Sequence, residues 1–368
     1  MHEAICLARR GAGVSSPNPT VGCVVALNGR VVGRGLHEYA LEDHAEVRAI
    51  RDAGVRARGA TVYVSLEPCA HFGRTPPCAD MLVAAGVRRV VVATEDPNPQ
   101  VLGQGIERLR AAGIRVDVGM LDREARRLIE PFACRVTTGR PLVVAKVGMT
   151  LDGRIGLPGR GRLEITSSRA SRLTQELRHR LDAVLVGVET VLTDDPRLSY
   201  RGRRPKRRPL IRAILDSRLR TPPSAKVLTE SEGQVLLFCG PRHSKRRRSL
   251  HEGRGAEVIP VPPGRGGLSL PSVLEELGRR GVLGVLVEGG SAVHWSFLSE
   301  GLVDKFYFIA APIVIGGSKA IPAVGGRGFG DIASSARFRI SRTFRAGADL
   351  VIETYPRDSR SFISPWLR

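Results

Sequence analysis

The chain has 368 residues, 42% of them hydrophobic, with 42 glycines, 24 prolines and a formal net charge of +21. That length exceeds one ordinary domain and points to two. No stretch approaches the roughly eighteen uninterrupted apolar residues of a membrane span, and six cysteines scattered over so long a chain exclude a disulfide framework.

The charge invites a nucleic-acid reading, supported most by "RGRRPKRRP" and "RHSKRRRSL". Both runs lack interleaved aromatics and lie between strand-like segments, so they read as solvated surface loops, and no nucleic-acid partner is expected. The N-terminus, "MHEAICLARRGAG", has no apolar core after its Arg pair. That order is wrong for a secretory signal, and a cytoplasmic protein is expected.

In chain order, "VGCVVALNGRVVGRG" reads as a hairpin turning at Asn28-Gly29, a residue pair that tolerates positive φ. "HAEVRAIRDAG" follows as a helix ending at Gly54, then the strand "ATVYVSLEP" and the helix "CADMLVAAG". The strand "VRRVVVATEDP", the helix "QGIERLRAAG" and the strand "IRVDVG" continue the alternation, and a further helix is expected around Asp122 to Cys134. Strand-helix alternation argues an α/β layered domain, with a boundary near residue 140 at "TTGRP".

The pattern then restarts. "PLVVAKVGMT" is a strand, and "SSRASRLTQELRHR" is a helix capped by Ser167 or Ser168. "DAVLVG", "LIRAILDS", "QVLLFCG" and "AEVIPV" are strands, followed by a helix at Ser272 to Arg280 and the strand "GVLGVLVEGG". "KFYFIAAPIVIGG" and "ADLVIETYP" close a second strand-rich α/β domain.

Two helix starts carry chemistry. His44-Ala45-Glu46 gives H-x-E, and Pro68-Cys69 followed by eight residues and Cys78 gives P-C-x(n)-C. One imidazole and two thiolates fill three positions of a tetrahedral zinc shell, leaving the fourth to water. Glu46 is not needed as a ligand and can shuttle protons between that water and a leaving amine, the zinc-deaminase arrangement. Eight residues separate the cysteines where the common signature has two, so "AHFGRTPP" must loop over the site. That loop carries His71 and Arg74, a base-edge hydrogen bonder and a phosphate-binding cation suited to a nucleotide-like substrate. Farther on, Gly289-Gly290-Ser291 joins a strand to a helix, and its bare N–H groups suit a cofactor phosphate.

The segments "SPNPTVGCVV", "HAEVRAI", "YVSLEPCAHFGRTPPCAD", "KVGMTLDGRI", "VLTDDPRLSYR" and "LVEGGSAV" occur in one order. In that order the chain resembles, over nearly its whole length, the bifunctional pyrimidine deaminase/reductases of riboflavin biosynthesis. The resemblance implies a cytidine-deaminase-like three-layer domain over residues 1–140 and a dihydrofolate-reductase-like domain over 141–368. It implies Zn2+ and NADPH as cofactors, a phosphoribosylamino-pyrimidine substrate, and a homo-oligomer. By matching motif it assigns zinc to His44, Cys69 and Cys78, the proton shuttle to Glu46, and pyrimidine contact to Asn18, with His71 and Arg74 toward the ribose phosphate. In the second domain Lys146, Gly148 and Asp152 fall in the stretch lining the reductase cleft. Thr190, Asp194 and Ser217, together with Gly148, Gly290 and Ser291, match cofactor contacts, and Arg178, Leu198, Arg201 and Glu288 match substrate contacts.

One segment departs from the family pattern. Where Ser-x-Trp-Ile-Thr is usual, this chain reads "RLEITSS", with Arg162 and Glu164 replacing serine and tryptophan. An alternative expectation is therefore a deaminase-active paralogue whose reductase is altered or serves another pathway. A second is a polynucleotide deaminase or nucleic-acid binder using the basic runs.

Overall fold

In the computed structural model the described residues are 1–73, 75–230 and 232–357. The chain divides into two compact units, one comprising Met1–Gly139 and Pro205–Arg207, the other beginning at Arg140.

The first unit is built on a five-stranded sheet in the order Arg30–Leu36, Gly22–Leu27, Thr61–Val64, Arg89–Val92, Arg115–Val118. Asn28 and Gly29 both have positive φ, as a tight hairpin turn requires, and the first two strands pair antiparallel across them. The later strands pair parallel, each reached through a helix. Helix Ala45–Ala53 lies flush on strand Arg30–Leu36 because Ala45, Ala49 and Ala53 face it. The strand meets them with bare backbone: a Cβ at Gly35 would stand 1.8 Å from the Ala45 carbonyl oxygen, and one at Gly33 2.2 Å from that of Ala49. This close approach sets the depth at which His44 and Glu46 sit.

The second unit carries a nine-stranded sheet in the order Ala256–Pro260, Val235–Cys239, Ile211–Leu215, Ala183–Gly187, Gly284–Gly289, Leu142–Thr150, Lys305–Ala311, Asp349–Pro356, Phe338–Ala346. Its first seven strands are parallel and its last two antiparallel. Val143, Leu185, Ala213 and Phe238 pack in the core on one face, and Val184, Ile214, Leu237 and Cys239 on the other. A parallel sheet covered on both faces needs unbroken apolar strands, which is why "DAVLVG" and "QVLLFCG" show no polar alternation.

Three local expectations are corrected, and one strand is added. The helix expected around Asp122 to Cys134 is two helices, Asp122–Leu128 and Glu130–Thr138, with Pro131 in the first turn of the second. Proline lacks the N–H that would continue the first helix, so a new one starts there. "RHSKRRRSL" is not a loop but contains helix Lys245–Glu252, whose N-cap Ser244 accepts from the Arg247 N–H. The helix expected from Ser272 begins at Leu270, because Ser269 is its cap. Strand Phe338–Ala346 was not anticipated: a register shift between Ile340 and Arg342 breaks its period-two alternation.

Candidate active sites

In the first unit His44 is the N-cap of helix Ala45–Ala53, and Cys78 is the first residue of helix Cys78–Ala84. Cys69 comes from the loop after strand Thr61–Val64. These three supply ligand atoms that all lie within 4.8 Å of one another. His44 Nδ1 is 3.1 Å from Cys78 Sγ and 3.5 Å from Cys69 Sγ, and the Cys78 backbone N–H donates to Cys69 Sγ at 3.3 Å. Hydrogen bonds from Cys78 and His44 push the Cys69 thiol down to about 4 despite its burial, whereas Cys78, chiefly through its hydrogen bond to Cys69, is pushed up.

Glu46 is the second residue of the same helix, within its first turn, and is buried. Burial raises its carboxyl to about 7, against the opposing pull of His44. A carboxyl poised near neutrality can both take and return a proton. Asn18 Nδ2 is 3.1 Å from His37 Nε2, and the His37 ring stands edge-on to His44 with centroids 5.3 Å apart. His71 is exposed on the loop between the cysteines, and Arg74 lies outside the described residues.

Sequence reasoning missed Glu67. Its buried carboxylate accepts from the backbone N–H groups of Asp96, Gly103, Gly105 and Ile106 at 2.9–3.2 Å. It therefore ties the strand leading to Cys69 to the start of helix Gln104–Ala111, where a carboxylate is favoured by the dipole. His37 was missed as well; neither residue belongs to a spaced motif.

In the second unit two adjoining clefts open at the carboxyl ends of the parallel strands, where open α/β sheets bind ligands. One, of about 480 Å³, is lined by Lys146, Gly148, Arg178, Leu198, Arg201 and Glu288 among others. Glu288 is buried between two cations, 2.6 Å from Arg178 Nε and 3.4 Å from Lys146 Nζ. Burial alone would raise its carboxyl, but the Arg178 and Lys146 charges hold it at about 2. Partial desolvation and the neighbouring Arg178 and Arg162 charges lower the pKa of Arg201.

The other cleft, of about 510 Å³, is lined by Thr190, Asp194, Ser217, Gly290 and Ser291, with Thr190, Asp194 and Gly290 shared between the two. Asp152 lines neither cleft; it instead accepts from the Ile315 and Gly316 backbone N–H groups and the Thr150 hydroxyl. The stretch thus contributes Lys146 and Gly148 to the site while Asp152 braces a loop.

The family model "RibD C-terminal domain" matches residues 141–352, more than half of the chain, and that of the "cytidine and deoxycytidylate deaminase zinc-binding region" matches residues 1–94. The chain belongs to the RibD family. It is 42% identical over 352 residues to the riboflavin biosynthesis protein RibD of Aquifex aeolicus, covering 96% of each chain. It is 37% identical to that of Escherichia coli, covering 96% of this chain and 97% of the relative. Among solved structures, Acinetobacter baumannii RibD superposes with a TM-score of 0.86 at 36% identity over 97% of this chain and 98% of that one. The Thermotoga maritima diaminohydroxyphosphoribosylaminopyrimidine deaminase/5-amino-6-(5-phosphoribosylamino)uracil reductase gives 0.83 at 33% identity over 97% of each.

The donor sets fit the two cofactors of a RibD protein. Zinc bonds of about 2.0–2.3 Å give tetrahedral edges of about 3.5 Å, close to the measured separations of His44 Nδ1 from the two sulfurs. At the wider cleft, Ser291 begins helix Ser291–Ser299, and its Oγ is buried without a hydrogen-bond partner. An orphaned hydroxyl beside a helix start suits a cofactor phosphate. Glu164, which departs from the RibD pattern, lines the narrower cleft with 86% of its side chain exposed and lies 3.9 Å from Arg162. Its carboxylate is solvated rather than buried against the site.

Proposed function

We propose that the chain is a bifunctional enzyme of riboflavin biosynthesis, with deamination in the first unit, through about residue 140, and reduction in residues 141–368. The first reaction hydrolyses an amine from 2,5-diamino-6-(5-phosphoribosylamino)pyrimidin-4-one. The second reduces the ribosyl group of 5-amino-6-(5-phosphoribosylamino)uracil to ribityl. The observation that carries this reading is the convergence of His44, Cys69 and Cys78 with the buried Glu46 beside them.

In the first reaction His44, Cys69 and Cys78 hold zinc, which when bound acts as a Lewis acid that makes water nucleophilic at neutral pH. Glu46 takes the proton from the attacking water and returns it to the departing amine, a role suited to its raised pKa. Asn18 contacts the pyrimidine, with His71 and Arg74 toward the ribose phosphate.

In the second reaction NADPH supplies the reducing equivalent. Gly148, Thr190, Asp194, Ser217, Gly290 and Ser291 hold it, and Arg178, Leu198, Arg201 and Glu288 hold the substrate beside it. Placement of the sugar carbon against the cofactor dominates this step, since it needs little acid-base machinery. Arg178 and Lys146 keep Glu288 ionised, so its carboxylate accepts from sugar hydroxyls.

The same reading has the protein act as a homo-oligomer in the cytoplasm, tested by light scattering and cell fractionation. No helix among the described residues is long and apolar enough to cross a membrane. The deciding experiment incubates the purified protein with the diaminopyrimidine substrate, with and without NADPH, and identifies products by mass. Deaminated product alone without NADPH, and the ribityl product with it, are expected. Absence of either overturns the corresponding half.

A further inference from the structure

The basic run Arg201–Pro209 is exposed except at Lys206 and Arg207, which are half-buried. Pro205–Arg207 belong to the first unit, although the sequence on either side belongs to the second. Within the first unit the Arg207 backbone N–H donates to the Gly13 carbonyl at 2.8 Å, and its Nη1 donates to the Ser16 carbonyl at 2.7 Å. Its guanidinium carbon lies 3.8 Å from the centre of the Tyr39 ring. A solvated arginine keeps rotamer freedom worth about 2 kcal/mol, whereas Arg207 is held in one place by these contacts.

The contacts fall on two segments that converge on the deaminase site. Ser16 lies two residues before Asn18, and Tyr39 two residues after His37. The Asn18 N–H donates to the Ser15 carbonyl at 3.0 Å and the Tyr39 N–H to the Val14 carbonyl at 3.2 Å, so the two segments are already stitched together where Arg207 clasps them. His37 Nδ1 lies 3.1 Å from the Asp43 carbonyl and so carries the ring proton of the neutral imidazole. Nε2 is then the acceptor, and Asn18 Nδ2 donates to it at 3.1 Å. That bond fixes which end of the Asn18 amide faces His37 and leaves Oδ1 to accept from an amine or ring N–H of a pyrimidine.

We propose that Arg207 is a positioning residue of the deaminase site, holding the segments that carry Asn18 and His37 in register so that the Asn18 amide meets the pyrimidine in one orientation. This rests on reading Asn18 as a pyrimidine contact. Arg207 acts through a carbonyl on one segment and a ring on the other, and it touches no reacting atom. The planar guanidinium suits this task, because its face can lie on an aromatic ring while its edge donates to a carbonyl. A glutamine keeps a donor and loses the cation over Tyr39. A lysine keeps the cation and loses the planar fork.

The test is deaminase kinetics and zinc content of the full chain in Asn18→Ala, Arg207→Gln, their double variant and Arg208→Gln. Arg207→Gln should raise KM for the diaminopyrimidine by roughly three- to tenfold, the scale of one net hydrogen bond. Its kcat and zinc content should stay near wild type, because lost substrate placement weakens binding without touching the zinc ligands or Glu46. Asn18→Ala should raise KM at least as much, and the double variant should match Asn18→Ala, since a residue acting through Asn18 adds nothing once Asn18 is gone. Arg208→Gln, at the exposed neighbouring position, should leave KM unchanged. Arg207→Lys should fall between wild type and Arg207→Gln, and it carries the comparison if the glutamine variant loses zinc. A wild-type KM in Arg207→Gln beside a raised KM in Asn18→Ala, multiplying effects in the double variant, or an equal rise in Arg208→Gln overturns the proposal and leaves the Asn18 reading intact. A wild-type KM in Asn18→Ala overturns the Asn18 reading itself, and the route assigned to Arg207 with it.

Discussion

Arg178 and Glu288, separated by 110 positions in the chain, meet at 2.6 Å with 10% of each side chain exposed. Lys146 approaches the same carboxylate from strand Leu142–Thr150. Arg178→Met leaves Glu288 with Lys146 as its remaining cation, so its cost should be smaller than the about 3–5 kcal/mol of a wholly uncompensated buried charge. Arg178→Met should therefore lower the thermal midpoint of the second unit, and Arg178→Met combined with Lys146→Met should lower it further. If the double variant is as stable as the single one, Lys146 does not share the compensation of Glu288. Substrate KM in the reductase reaction should rise in both.

The metal ligands can be told from the other cysteines by metal content. The protein should carry about one zinc per chain, since three protein ligands and a water complete one tetrahedron. Cys78→Ser should lose most of it. Cys239→Ser should keep it, because Cys239 is a core residue of strand Val235–Cys239. Equal zinc in the two variants refutes the assignment.

Glu46→Gln keeps the size and polarity of a buried side chain but cannot carry the proton. Deamination should fall by roughly a hundredfold or more, with zinc content unchanged. Reduction of pre-deaminated substrate should proceed at the wild-type rate, because the residues assigned to it lie in the second unit. Near wild-type deamination by this variant would remove Glu46 from the mechanism.

His294 makes the stability of the second unit depend on pH. Its ring is buried against Phe306, Nδ1 donates to the Ala323 carbonyl at 3.1 Å, and burial lowers its pKa to about 4. The unfolded chain takes up a proton near the ordinary value of 6.5, while the folded one stays neutral until about 4. The contribution is complete above pH 6.5 and is lost as pH falls toward 4. The thermal midpoint of His294→Gln should therefore fall less steeply than that of wild-type protein between pH 7 and about 4.5. Parallel profiles would show that His294 does not titrate in this range.

At Gly290 an added Cβ would stand 3.4 Å from Thr190 Oγ1, and the residue has φ −70°, so the backbone itself tolerates a side chain. Gly290→Val should fold and should raise the cofactor's KM far more than the substrate's, because the branched chain occupies the approach to the Ser291 N–H. A variant with wild-type cofactor KM would move the phosphate elsewhere in the cleft.

Much of this protein was legible in its sequence. The turn at Asn28-Gly29, the cap at Ser167 and the apolar strands follow from side-chain and backbone preferences acting over a few residues. The zinc ligands were legible because His44 and Cys78 lie at helix starts and Cys69 follows Pro68 shortly after a strand, in short motifs of recognisable spacing. Tertiary structure alone decided the rest. Glu67 reaches backbone groups some thirty to forty positions away, and Glu288 draws its cations from two distant elements. The Asp216 carboxylate, next in sequence to Ser217, is turned inward onto Thr221, which no local pattern records. Strand Phe338–Ala346 was hidden by the irregular register that joins it to its neighbour. Local patterns record which residues share a turn or a face. The order in which strands lie side by side, and the burial that follows, is settled by packing across the whole sheet, so charge partners and inward-turned carboxylates appear only when the fold is assembled.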